Sequence, residues 1–353
     1  MSLKCVRLLL VPAFISLLMD FASATRDRFE EEVDNWMESA NEVSGEASGH
    51  SNSMVDLSLN QAINFDENLT QLPDGEISVS DQDGGQSTTT LNFAFHKIPK
   101  KKEKVLKVQL DLGNTRYFDK GFATRNSQNV TFGINKPFEQ SKKSKFLGLS
   151  IKALFRTDLL YAFGKKEKAF ETLTVGVLGV FKPIKAKKKK FADIYVPAIG
   201  LDIESRDFKQ AYGVDGLGNS KDSLTPSALL IFMAMKKYKR FSTQSMFMMN
   251  IRNTISDSKD SEYLSIRTGL TYTLKFKKFN LIPDVSVTIR DQKSYQNAAR
   301  DDTNYATGLA YQRIFNKKKT SLKAHLKYNT QTSNLTAFKY NNTGISISGK
   351  HKF

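Results

Sequence analysis

Cationic side chains stand at alternating positions among apolar residues in several segments of this 353-residue chain. In 322–328, Lys323 and Lys327 alternate with leucine, alanine and tyrosine. Successive side chains of a β-strand point to opposite faces, so these lysines would share the polar face of a sheet. Rows of such groups along one wall favour anions. The predicted cationic residues of this face are Lys107, Lys152, Arg252, Arg267, Lys275, Arg290, Lys323 and Lys327.

Other candidate chemistry is sparse. Asp111 and Asp284 share the predicted polar face. The chain has four histidines, at His50, His96, His325 and His351. It has no HExxH motif, no glycine-rich phosphate loop and no Ser-His-Asp pattern near a histidine. His325, flanked by apolar residues, is expected to be a polar group of the same face. We therefore expect no catalytic residue, no metal site, no cofactor and no enzymatic activity.

Apolar and polar residues alternate through most of the chain from residue 76 onward, the pattern of half-buried strands. The clearest segments are 106–112, 264–276, 285–289 and 322–328, and less regular ones lie near 88–96, 128–135, 146–156, 169–181, 191–203, 228–235, 241–252, 303–315 and 343–353. Residues 76–80 supply a weak fourteenth strand. Many segments approach the ~9–11 residues that a tilted strand needs to cross a bilayer.

These strands predict an all-β fold, a transmembrane antiparallel up-and-down β-barrel formed by residues 76–353. A closed single-chain barrel of this kind takes an even number of strands, which favours fourteen. Twelve would be the number if 88–96 lay outside the wall. A soluble sandwich also alternates, but its strands are usually shorter, about 5–6 residues.

Residues 1–24 have the pattern of a secretory signal peptide. Lys4 and Arg7 precede an apolar core over 8–18, and residues 22–24 read Ala-Ser-Ala, a typical cleavage site. Cleavage would remove Cys5, the only cysteine in the sequence. We therefore expect an exported mature chain without thiols or disulfides.

Charge divides sharply along the chain. Residues 25–75 contain 12 Asp and Glu against two Arg, whereas residues 76–353 contain 49 Lys and Arg against 23 Asp and Glu. Residues 26–43 of the acidic part have a helical period and are followed by a polar linker. The apolar face of this predicted helix includes Phe29, Val33, Trp36 and Met37. The acidic segment could fill the barrel as a plug, or it could be a periplasmic arm that binds another envelope protein.

The last stretch, 343–353, alternates Ile345 and Ile347 with small polar residues and ends on Phe353. It resembles the closing strand of bacterial outer-membrane β-barrels, whose assembly machinery reads a C-terminal aromatic residue and alternating apolar residues before it. The resemblance implies the outer membrane of a Gram-negative bacterium. It also implies contact with outer-membrane lipid, lipopolysaccharide and the barrel assembly machinery.

The predicted connections alternate between a lysine-rich series and a longer series. The lysine-rich ones include 97–104, 182–190 and 316–320, and counting back from the last strand places them on the periplasmic side. Because these lysines are confined to turns and form no continuous stripe, nucleic acid is not an expected partner.

The sequence is compatible with three functions. The first is a porin-like outer-membrane channel for passive passage of small solutes, with a preference for anions suggested by the cationic face. The second is a non-conducting barrel that serves as a structural anchor or an interaction platform. The third, an outer-membrane enzyme, would need residues gathered from distant strands.

Overall fold

The computed structural model describes residues 55–66, 84–96, 107–118, 127–138, 145–162, 165–185, 191–208, 219–295, 298–315 and 320–352. They form fifteen strands: β1 Val55–Asp66, β2 Gly84–His96, β3 Lys107–Tyr117, β4 Ser127–Phe138, β5 Phe146–Ala162, β6 Lys165–Phe181, β7 Ile184–Lys185, β8 Ile194–Phe208, β9 Ser223–Lys237, β10 Ser242–Ser256, β11 Tyr263–Lys275, β12 Phe279–Tyr295, β13 Ala298–Phe315, β14 Thr320–Ser333 and β15 Tyr340–Lys352. In this part of the chain, no helix is long and apolar enough to cross a membrane.

The strands close into a barrel. Each long strand pairs antiparallel with the next along the chain, β6 pairs directly with β8, and β1 pairs with β15. The wall therefore has fourteen strands, because the two-residue β7 only adds to one edge of β8. The predicted number is confirmed. Twelve is wrong, because residues 88–96 belong to β2, which is paired on both sides.

The first strand of the wall lies earlier than the sequence indicated. β1 begins at Val55, within the stretch assigned to the acidic segment, and pairs with both β2 and β15. The boundary placed at residue 76 is therefore corrected to residue 55. The weak strand predicted over 76–80 lies outside the described residues. The side chains of β1 that face outward include Leu59, Ile63 and Phe65, but the polar Gln61 lies among them. This interruption weakened the alternating pattern in the sequence.

The outer face of the wall is apolar. Many large hydrophobic side chains are exposed there, among them Leu201, Phe232, Leu270, Val285 and Leu309. On β11 the outward row runs from Leu264 to Leu274, which at ~3.4 Å per residue and a tilt of ~40° covers about 26 Å of height. This matches the apolar band of outer-membrane barrels, which is about 25 Å tall.

Aromatic rings border this band at one end of the barrel. Tyr238, Phe241, Phe276, Phe279 and Tyr311 form a continuous series of stacked rings with centroids 4.6, 5.7, 4.6 and 5.6 Å apart. Aromatic girdles of this kind lie at the boundary between hydrocarbon and headgroups. We call this end, where β15 finishes, the C-terminal rim, and the other end the distal rim.

Candidate functional site: the inner wall

The strand register places the described sequence-predicted polar residues on the inner face. They alternate with the lipid-facing hydrophobic residues and are aligned across strands, as Arg252 is with Ser265 and Ser265 with Arg290. The inner-face residues are Lys152, Arg252, Arg267, Lys275, Arg290, Lys323, Lys327, Asp111 and Asp284. Lys107 occupies an equivalent register position, opposite Asn135, but its side chain lies outside the described set.

Arginines from neighbouring strands gather in the distal half of the inner wall. We call Arg206 of β8, Arg252 of β10, Arg267 of β11 and Arg290 of β12 the arginine arc. The sequence indicated three of these four. Arg206 was missed because β8 continues past residue 203, where the apolar alternation ends.

Glu204 links two members of the arc. Its Oε1 lies 2.9 Å from the Arg206 Nη2 donor, and its Oε2 lies 3.4 Å from Arg252 Nη2. Glu204 and Arg206 are both buried, at 5% and 8% exposure. A buried ion pair is costly unless the charges also accept and donate hydrogen bonds. The direct Arg206–Glu204 hydrogen bond supplies one.

Aromatic rings hold other arginines in the distal half. The Arg290 guanidinium carbon lies 4.7 Å from the ring centroid of Tyr263, and that of Arg300 lies 3.3 Å from the ring centroid of Phe338. Arg300 also forms a 2.6 Å ion pair with Asp302. The planar guanidinium suits stacking on aromatic faces. Arg300 and Asp302 lie in the part of β13 before residue 303, beyond the segment that the sequence predicted.

A histidine and a carboxylate meet on the inner wall at the level of Gly308. His325 Nε2 lies 3.0 Å from Asp284 Oδ2, and His325 is buried. A Cβ on Gly308 would stand 2.8 Å from the same carboxylate oxygen, closer than real Cβ contacts come. Gly308 therefore leaves the space that lets the two side chains approach. The placement of His325 as a polar group of the inner face agrees with the sequence interpretation.

An apolar patch occupies the half of the inner wall nearer the C-terminal rim. Its eight buried residues come from β6, β8, β9 and β10, and three partly buried ones pack against them. We call the eight the inner apolar patch: Leu178, Val180, Val196, Ala198, Leu229, Ile231, Met233 and Met248. The sequence did not reveal it, because these strands are apolar on both faces and alternation cannot assign a side. The interior of a water-filled barrel is usually polar.

The structure describes two of the three residues predicted to act as an assembly signal. Ile345 and Ile347 lie on the outer face of β15 and are exposed to lipid. Phe353 lies outside the described residues, as do Phe29, Val33, Trp36 and Met37 of the predicted helix.

The closed wall, the apolar outer band and the aromatic girdle define the class of the molecule. Because a membrane-spanning sheet must leave no unpaired backbone edge, closure and an apolar exterior belong together. The fold is that of a bacterial outer-membrane β-barrel, porin-like in architecture, and its place is the outer membrane.

Several solved outer-membrane proteins match this chain over most of its length, at low sequence identity and with TM-scores below 0.5. Omp33 of Acinetobacter baumannii is 7% identical with a TM-score of 0.38, over 85% of this chain and 100% of that one. OpdK of Pseudomonas aeruginosa is 7% identical with a TM-score of 0.35, over 85% and 99%. A loop-deleted OmpT of Vibrio cholerae is 10% identical with a TM-score of 0.39, over 85% and 99%. No family model matches the sequence, and no curated protein matches it.

Proposed function

We propose that the protein is an outer-membrane channel for passive passage of small solutes and that it prefers anions. The observation that carries this proposal is the arginine arc, which brings guanidinium groups from β8, β10, β11 and β12 to one side of the inner wall. Among the described inward-facing residues, lysines and arginines outnumber carboxylates. Arrays of cationic side chains in a pore favour anions.

The arginine arc keeps a net positive charge although two of its arginines are paired with Glu204. Glu204 is shared between Arg206 and Arg252, so this group of three retains a net positive charge. Arg290 contributes a further positive charge and is stacked on Tyr263. The guanidinium group keeps its positive charge throughout the accessible pH range, so the anion preference is expected to be independent of pH.

Reversal potentials in planar bilayers test the proposal. Under a KCl gradient, the protein should give a chloride-to-potassium permeability ratio above one. Removing one charge with Arg290→Gln should lower that ratio up to about fivefold, because a unit charge ~8 Å away in water lowers the energy of an anion by ~0.5 kcal/mol and raises that of a cation by the same amount. The matched control is Arg313→Gln, at an exposed residue that is aligned with lipid-facing Leu322.

The control variant should leave the ratio unchanged. A cation-selective native protein would refute the anion preference. Absence of any conductance from correctly folded protein would refute the channel itself.

A second candidate is a barrel whose lumen stays filled and does not conduct, serving as an anchor or interaction platform. The inner apolar patch favours it, since buried apolar side chains line no water-filled path. Neither candidate contains a catalytic step, and His325 is engaged with Asp284 within the wall. The same bilayer recordings separate the two candidates.

A further inference from the structure

The inner apolar patch is positioned like a docking surface inside the barrel. It covers four neighbouring strands of the wall and reaches from the level of Leu178 and Leu229 toward the C-terminal rim. Ile194, Met235 and Met246 extend it further in that direction. The eight side chains of the patch face the lumen, yet they are only 2–8% exposed in the structure. In contact with water they would be unfavourable in proportion to their apolar area, so an apolar occupant that keeps them covered would stabilise this part of the wall.

We propose that the occupant is the predicted amphipathic helix of this chain, residues 26–43, packed against the inner apolar patch through Phe29, Val33, Trp36 and Met37. This makes the acidic segment a plug and not an arm. The docking does not depend on whether the barrel conducts, so it stands apart from the channel proposal.

Dimensions permit one helix in the lumen. Fourteen strands ~4.8 Å apart and tilted by ~40° give a backbone diameter of about 28 Å. Inward side chains take up about 5 Å on each side, half of the usual spacing between packed sheets, which leaves about 18 Å. A helix with its side chains is about 10–12 Å wide. A single helix therefore fits against one wall and leaves space beside it.

The connection to the barrel also permits this position. β1 begins at Val55 beside the end of β15, so the preceding residues enter at the C-terminal rim, the same end as the patch. β9, at the centre of the patch, lies opposite β1 in the order of strands around the wall. The linker 44–54 extends over at most about 36–40 Å. That is enough to cross the ~28 Å diameter.

Charges around the patch complement the acidic segment. Residues 25–54 contain eight Asp and Glu against two Arg. Lys152 and Arg267 lie at the distal border of the patch, in register with Gly176 and Asn250. At the other border, the Lys275 ammonium donates to Gln244 Oε1 at 2.5 Å, and the Gln244 amide approaches Met233 Sδ at 3.9 Å.

The arrangement matches the two faces of the predicted helix. Its apolar face would meet the patch, while carboxylates such as Glu31 and Asp34 on other faces would lie near the bordering cations. An apolar contact with charges at its edge is the composition of stable protein interfaces, which have an apolar core and a polar rim.

Fluorescence of Trp36, the only tryptophan in the sequence, tests the docking. In the full mature protein, folded in lipid vesicles, emission should be blue-shifted and protected from iodide and acrylamide. Val33→Asp on the apolar face should shift emission to the red and raise the quenching constant severalfold. Asn35→Asp adds the same charge on another face and should leave both readouts near the native values.

A reciprocal pair of variants tests the wall. Ile231→Asp places a carboxylate in the patch and should expose Trp36 as Val33→Asp does. The control, Thr90→Asp, lies on the inner face of β2, across the barrel and similarly far from the C-terminal rim. Heat-modifiable migration verifies that each barrel is folded. If the Ile231→Asp barrel does not fold, the Val33→Asp variant still tests the docking, because its substitution lies outside the wall.

The results separate docking from conduction. Water-like emission in the native protein, or unchanged emission in both Val33→Asp and Ile231→Asp, would overturn the docking and leave the segment as an arm. If the barrel also conducts, Val33→Asp should increase its conductance by about 1.4- to 1.8-fold, because a helix ~10–12 Å wide fills about a third to nearly half of the cross-section of a lumen ~18 Å wide. Protected emission without conductance would support docking while refuting the channel.

Discussion

Replacing Leu270 by arginine will destabilise the barrel far more than the same replacement at Leu264. Both leucines lie on the outer face of β11 and are similarly exposed, at 46% and 41%. Leu270 is paired with Val285 in the middle of the wall, whereas Leu264 is paired with Asp291 near the distal rim. The two substitutions therefore make the same chemical change at different depths in the membrane.

The geometry gives the size of the difference. Six residues of strand span about 20 Å, or about 16 Å along the membrane normal at a tilt of ~40°. Arginine on the lipid face costs ~2–4 kcal/mol at the midplane and ~0–1 kcal/mol near the interface. At position 264, the opposite charge of Asp291 offsets part of even that cost. We expect the free energies of unfolding to differ by about 2–3 kcal/mol, or about 30- to 160-fold in the unfolding equilibrium constant.

Equilibrium urea unfolding in lipid vesicles, followed by far-ultraviolet circular dichroism, measures both variants against the native protein. The slope of the unfolding free energy against urea should stay constant, so that midpoints can be compared. Equal losses at the two positions would refute the reasoning, because they would mean that Leu270 does not face hydrocarbon.

Two further predictions concern packing and orientation. Gly308→Ala should lower the free energy of unfolding by about 1–3 kcal/mol, since its Cβ would crowd His325 and Asp284. Gly269→Ala, with its nearest contact at 3.5 Å, should change it by less than ~0.5 kcal/mol. On intact cells, an impermeant maleimide should label Asn219→Cys at the distal rim. It should label Lys239→Cys only after the outer membrane is permeabilised, and the reverse pattern would invert the topology.

The wall of the barrel was predictable because lipid and the lumen impose opposite demands on alternate residues. The outward row of β14 is apolar from Leu322 to Tyr328, that of β11 is apolar from Leu264 to Leu274 except at Thr268, and the sequence placed both strands correctly. β1 was not predicted from the sequence, because the polar Gln61 stands in its outward row between Leu59 and Ile63. Leu57, Leu59, Ile63 and Phe65 still have the correct period and could have indicated a strand.

The candidate site was only partly predictable, for two physical reasons. Strand ends beyond the apolar band carry polar residues on both faces, so alternation did not extend to Arg206 or to the Arg300–Asp302 pair. On β9 the reverse holds: Leu230 faces lipid and Ile231 faces the lumen, and both are apolar. On β9, the strand pairing of the closed wall is needed to determine which residues face lipid and which face the lumen.

The seam between the first and last strands has a consequence for biogenesis. Ser58 is aligned with Lys352, so this pairing joins residues separated by nearly the whole chain. Contacts of such high sequence separation carry the largest loop-closure entropy and slow the folding of β proteins. Until β15 arrives, the nascent sheet presents two unsatisfied edges, each a template for mispairing with another chain. The seam is therefore the step at which a folding catalyst would gain most by holding both edges at once.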